Sequence, residues 1–111
     1  MRIPADAVLP EEKLTGYLLA WRPWDDKSKF LAQADFTQAN AEALLAALRA
    51  LTAEGEAVPD GENEYGEFLR LEGELLGPNG VQLPVVTIWL RWREDGTVHF
   101  VTLKPRRGNP A

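Results

Sequence analysis

The chain has no cysteine, and His99 is its only histidine. The first absence excludes disulfides, thiol nucleophiles and thiolate metal sites. The second leaves few ready-made general bases. No apolar stretch approaches the eighteen or so residues of a membrane-spanning helix. The opening Met1-Arg2-Ile3-Pro4-Ala5-Asp6 has no apolar signal-peptide core. A cytoplasmic location and no membrane partner are therefore expected. P-loop, zinc-finger, nucleophile-elbow and dinucleotide fingerprints are all lacking. Glu62/Glu64 and Glu72/Glu74 fall at alternate positions, but no His or Asp stands beside them as a further metal ligand. They fit better as charges that blunt a strand edge or repel nucleic acid. The expectation is no cofactor and no metal.

What is present describes a folded domain. Apolar residues make up 45% of the 111, charged residues 26%, and there are four tryptophans. That length suits one core, taken as a single domain over residues 1–105 with a flexible tail over 106–111. The net charge of −5 argues against a nucleic-acid coat. The charge is uneven, however. Residues 54–75 hold eight acidic residues against Arg70 alone, whereas residues 76–111 hold five basic residues against Glu94 and Asp95.

Leu9-Pro10-Glu11-Glu12 reads as a helix start, with Leu14, Tyr17 and Leu18 at helical spacing and a stop near Pro23. A second short helix is expected over 27–34. A third, capped by Thr37, carries Ala41, Leu44, Leu45, Leu48 and Leu51 on one face and stops near Gly55. Residues 56–58 suit a short edge strand ahead of a Pro59-Asp60-Gly61 turn. Strands follow at about 65–76, 81–93 and 97–104. The fold expected is α+β: two or three N-terminal helices on one face of a three- to four-stranded antiparallel meander.

In the third of those segments Val86, Ile88, Leu90 and Trp92 alternate with Thr87, Trp89, Arg91 and Arg93. The apolar set is expected to meet the helices. A four-residue Gly77-Pro78-Asn79-Gly80 turn would set Leu76 opposite Val81, Arg70 opposite Thr87 and Phe68 opposite Trp89. A two-residue Asp95-Gly96 turn would set Thr102 opposite Trp89 and Lys104 opposite Thr87, with Val101 and Leu103 in the core and His99 beside Trp92. A three-residue loop would instead bring His99 to the open face and turn Thr102 and Lys104 inward. The tight turn is favoured, because an inward lysine is costly. The open face then collects Phe68, Arg70, Thr87, Trp89, Arg91, Thr102 and Lys104. Cations, hydroxyls and rings together suit a phosphodiester with a stacked base. The same residue types are also ordinary on a solvated sheet face.

Ile3-Pro4-Ala5-Asp6, Glu12 to Leu19, Lys27-Ser28-Lys29-Phe30, Tyr65-Gly66, Gly73 to Gly80, Thr87-Ile88-Trp89 and Val101 to Pro105 occur in an order that resembles an uncharacterised bacterial domain-of-unknown-function family. That family is found alone and as the last domain of polymorphic-toxin-like proteins. The layout also resembles the barnase, colicin and RelE-like ribonuclease-toxin superfamily, whose open sheet face holds RNA. The resemblance implies a metal-independent endoribonuclease of a toxin–antitoxin or polymorphic-toxin system, with RNA as substrate and a cognate antitoxin or immunity-like protein as partner. Lys27, Thr87 and Thr102 match the family's polar positions; with Arg91 and Lys104 they form the catalytic set expected, and Arg70, Phe68 and Trp89 the substrate-binding set. Two positions depart from the pattern: Trp24-Asp25-Asp26 replaces a histidine and glycine-rich stretch, and Lys104 stands where tyrosine is usual. RNA cleavage needs a base, a cation and an acid. The cations are present; the base is left open between His99 and a lysine or carboxylate such as Glu72. The other reading is a non-catalytic protein–protein interaction module.

Overall fold

Strand β3, Gln82–Trp92, is apolar on both sides, and its register decides the fold. The computed structural model describes residues 2–10 and 27–106. It is an α+β structure with a four-stranded antiparallel meander in the order β1-β2-β3-β4: Val58–Glu62, Gly66–Leu76, Gln82–Trp92 and Val98–Pro105. Among the described residues two α-helices precede the sheet, α1 over Lys27–Ala32 and α2 over Ala41–Glu54. They sit mid-chain rather than at the N-terminus. The helix expected over 11–23 lies outside the described residues.

Helix α2 forms as its spacing dictates. Ala41, Leu44, Leu48 and Leu51 are buried on one face, against β2. A 3-10 turn over Gln38–Asn40 leads in, where Asn40 Oδ1 accepts from the Thr37 N–H at 2.7 Å and its hydroxyl at 3.1 Å. Gly55 ends the helix, its N–H donating to Leu51 O. The edge strand runs through Pro59-Asp60-Gly61 instead of stopping before it. A bulge between Pro59 and Glu62 absorbs the irregularity.

The helix-side layer contains Leu69, Leu71 and Leu75 of β2 and Leu83, Val85, Thr87 and Trp89 of β3. Val98, Phe100 and Leu103 of β4 complete it. This corrects the expected faces of β3. Leu76 pairs with Gln82, not Val81, because Val81 is drawn into a five-residue loop. There Val81 O accepts from Gly77 N, and the Val81 N–H donates to Asn79 Oδ1. That one-residue slip pairs Leu71 with Thr87 and Leu69 with Trp89, and so exchanges the two faces. Thr87 and Trp89, expected on the open face, are fully buried in the core. A threonine is tolerated there because both polar atoms are satisfied. Trp89 Nε1 donates to Thr87 Oγ1 at 2.9 Å, and that hydroxyl donates to Leu71 O at 2.8 Å. Arg91 also turns to the helix side, at the end of the sheet, where it pairs with Glu67 at 2.6 Å.

The last hairpin is longer than either turn considered. Trp92 N donates to Thr97 O, Gly96 N donates to Trp92 O, and residues 93–96 form the loop. Gly96 takes φ of +74°, which a side chain would strain. Past it, Trp89 pairs with Phe100 and Ile88 with Thr102, leaving Val101 as a bulge rather than a core residue. The bulge restores Leu103 to the core and Thr102 and Lys104 to the opposite face.

At Gly66, facing Trp92, a Cβ would run into the Arg91 carbonyl. Backbone cannot step aside as a flexible side chain can. Gly66→Ala is therefore expected to cost about 2–3 kcal/mol, read as a lowered urea midpoint at unchanged m-value.

Candidate functional site

The face away from α2 is built from the alternate positions of three strands. Pairing gives its rows: Phe68, Leu90 and His99; then Arg70, Ile88 and Thr102; then Glu72, Val86 and Lys104. Adjacent strands lie about 4.8 Å apart, so each row spans roughly 10 Å. Arg70, Glu72 and Lys104 are exposed; Phe68, His99 and Thr102 are half-buried. The centre is apolar, with Val86, Ile88 and Leu90 between the polar flanks.

Phe68, Arg70, Thr102 and Lys104 thus do share a face, without Thr87, Trp89 or Arg91. Lys27 begins α1, and its side chain lies outside the described residues.

His99 is the residue that the alternation argument put in the core, and it stands on this face. Its neighbour is Trp92, with ring centroids 5.5 Å apart at 68°. Tyr65 packs on the other side of Trp92 at 6.0 Å. Trp92 Nε1 is buried with no hydrogen-bond partner among the described residues. A polar chain runs from the imidazole: His99 Nε2 lies 2.9 Å from Thr97 Oγ1, and Thr97 Oγ1 donates to Asp95 Oδ1 at 2.7 Å. The Thr97 N–H also donates to Asp95 Oδ1, at 3.0 Å. A threonine hydroxyl has one proton. With that proton on the Asp95 carboxylate, the His99 contact requires Nε2–H to donate. Neutral His99 is then held as the Nε2–H tautomer, and Nδ1 keeps its lone pair for an incoming proton.

The Thr97 hydroxyl and N–H hold the Asp95 carboxyl below the usual aspartate range, and the His99 charge adds to this. The stabilisation linked to a depressed carboxylate is complete above the ordinary range and fades as pH falls through the lowered value. The Asp95–Thr97–His99 link therefore persists into mildly acidic solution.

The backbone around His99 is fixed from the N-terminus. Val8 N donates to Val98 O at 2.8 Å, and Phe100 N donates to Val8 O at 2.9 Å. Arg49 of α2 holds this strap through Ala7 O at 2.7 Å and Ala5 O at 3.3 Å. The sequence signal for the site was Thr97 two residues before His99 at the entry to β4, with Asp95 two residues before Thr97 in the loop, where an aspartate accepts the N–H two residues on as in an Asx turn.

Among the described residues no group of three His, Asp or Glu side chains is placed to hold a metal ion. No described helix is long and apolar enough to cross a membrane.

Fold and site together define an α+β domain whose meander presents a tautomer-fixed histidine and two exposed cations on one face. The chain belongs to the family described as Domain of unknown function (DUF6883), whose model matches residues 4–107. No curated protein and no solved structure matches it.

Proposed function

We propose that this domain is a metal-independent endoribonuclease that works on the face of the sheet away from α2. The observation that carries the reading is the Asp95–Thr97–His99 chain, which leaves an oriented imidazole lone pair on the same face as Arg70 and Lys104. In this reading His99 Nδ1 takes the proton of a ribose 2′-hydroxyl. The 2′-oxygen forms its bond to phosphorus while the bond from phosphorus to the 5′-oxygen breaks. Arg70 meets the charge that gathers on the phosphoryl oxygens. The departing 5′-oxygen takes a proton from the Lys104 ammonium, which solvent restores. The products are a 2′,3′-cyclic phosphate and a 5′-hydroxyl end. Phe68 supplies an apolar ring in the His99 row for a nucleobase. Thr102 is a positioning residue between Arg70 and Lys104. The resemblance to ribonuclease toxins supports the same chemistry and suggests a toxin–antitoxin or polymorphic-toxin setting.

The test is incubation of the purified chain with single-stranded RNA in EDTA, with analysis of the new ends. Cyclic phosphate ends are expected, and the paired Arg70→Ala, Lys104→Ala variant is expected to lose at least about 100-fold in rate. Intact RNA, or equal cleavage by the variant, contradicts the assignment and favours a protein-binding module.

A further inference from the structure

The opposite edge of the molecule has a different character. Strand β1 pairs with β2 from Glu62↔Glu67 to Val58↔Arg70 and goes no further. Sheet order gives β2 no other neighbour on that side. From residue 73 to 76 the edge of β2 therefore has no strand beside it among the described residues, and alternate residues there turn N–H and C=O groups outward. A cleft of about 530 Å³ runs along this stretch, between β2 and the C-terminal half of α2. Its helix wall is apolar and small, made of Ala47, Ala50 and Leu51, and Leu76 at its end is 60% exposed. Its rim is acidic, with Glu54, Glu72 and Glu74. No basic residue stands in the last turn of α2 to offset the negative end of the helix dipole.

We infer that this cleft is a docking site for an extended basic segment of a partner protein, which adds as a strand to the open edge of β2. The edge selects an extended chain, because only that conformation pairs with the free N–H and C=O groups. A strand alternates its side chains, so one set enters the cleft beside Ala47, Ala50 and Leu51 while the other passes Glu72 and Glu74. The fitting sequence alternates apolar residues with lysine or arginine. Glu72 and Glu74 alternate onto the same face as Arg70, and their charge makes this end of that face unfavourable for nucleic acid. Glu72 also stands in the row of Lys104, but the ribonuclease reading gives it no role, so the inference stands apart from that reading.

The probe is the peptide acetyl-Lys-Val-Lys-Val-Lys-Val-amide, titrated into the 15N-labelled full chain, with its Glu-Val counterpart as control. Saturable amide shifts at residues 73–76 and at Ala47 and Ala50 are expected from the lysine peptide only, weakening with salt. The triple variant Glu54→Gln, Glu72→Gln, Glu74→Gln removes the charge, and Ala50→Phe fills the cleft at an exposed position. Each is expected to weaken binding at least tenfold, with an unchanged thermal midpoint as the folding control. Equal binding by either folded variant overturns the inference. So do shifts confined to β1, absence of binding, or a chain that dimerises through this edge without peptide.

Discussion

Trp89→Ala is expected to lose about 3–5 kcal/mol of stability, the cost of emptying a large aromatic site in a packed core. Trp89 has no exposed surface and packs edge-on against Phe100, with ring centroids 5.3 Å apart. Its indole N–H also donates to the Thr87 hydroxyl, so truncation leaves that buried oxygen without its donor, although it still donates to Leu71 O, as well as creating a void. Urea unfolding of the native and variant chains measures the difference. A tryptophan on the open face would give a change within about 1 kcal/mol. The result therefore separates the two registers of β2 and β3 as well as testing the core.

His99→Gln is expected to slow RNA cleavage by about 100- to 10,000-fold, the usual contribution of a positioned general base. Glutamine is chosen because its amide can still donate toward Thr97 while offering no basic nitrogen. His99 is half-buried, so the variant should fold, and a thermal melt beside the assay confirms it. Thr97→Val serves as the companion. It removes the hydroxyl that fixes the tautomer but leaves the imidazole. A fall in rate smaller than that of His99→Gln, with a changed pH–rate profile, is the signature of positioning. Equal rates for native and His99→Gln would exclude His99 as the base.

Much of this fold could be read from the chain. Leu44, Leu48 and Leu51 recur at helical spacing, and they bury one face of α2 as that spacing requires. Leu69, Leu71 and Leu75 alternate with charged or small residues, so β2 had one legible inner face. Strand β3 offered no such contrast. Val85, Val86, Ile88, Trp89 and Leu90 are apolar on both sides, and past Gln82 at its start Thr87 and Arg91 were its polar markers. Thr87 misled because its hydroxyl is satisfied inside the core by Leu71 O and the Trp89 indole. Arg91 misled because it lies at the end of the sheet, where Glu67 meets it. Turn lengths then settled the faces. Taking Val81 into the loop moved β3 by one residue, and one residue exchanges every side chain between faces.

The site was legible on β2 and the far end of β4, and illegible on β3. Phe68 and Arg70 follow from the pattern of β2, and Lys104 from the cost of burying its charge. Thr102 follows from Lys104 by alternation. His99 is expected beside Trp92 and lies beside it, so its face was misread with that of β3: the slip at Val81 carried Trp92 and His99 together to the face away from α2. The polar chain to Asp95 is the compensating signal, since it needs only the local spacing of three residues.

One measurement tests the central claim most directly: titration of the 15N-labelled chain with a short RNA bearing 2′-O-methyl groups, which binds but cannot be cleaved. The account predicts saturable shifts at Phe68, Arg70, His99 and Lys104, weakening steeply as salt is raised, with little change along β1. Absence of binding, or shifts confined to other surfaces, would contradict it.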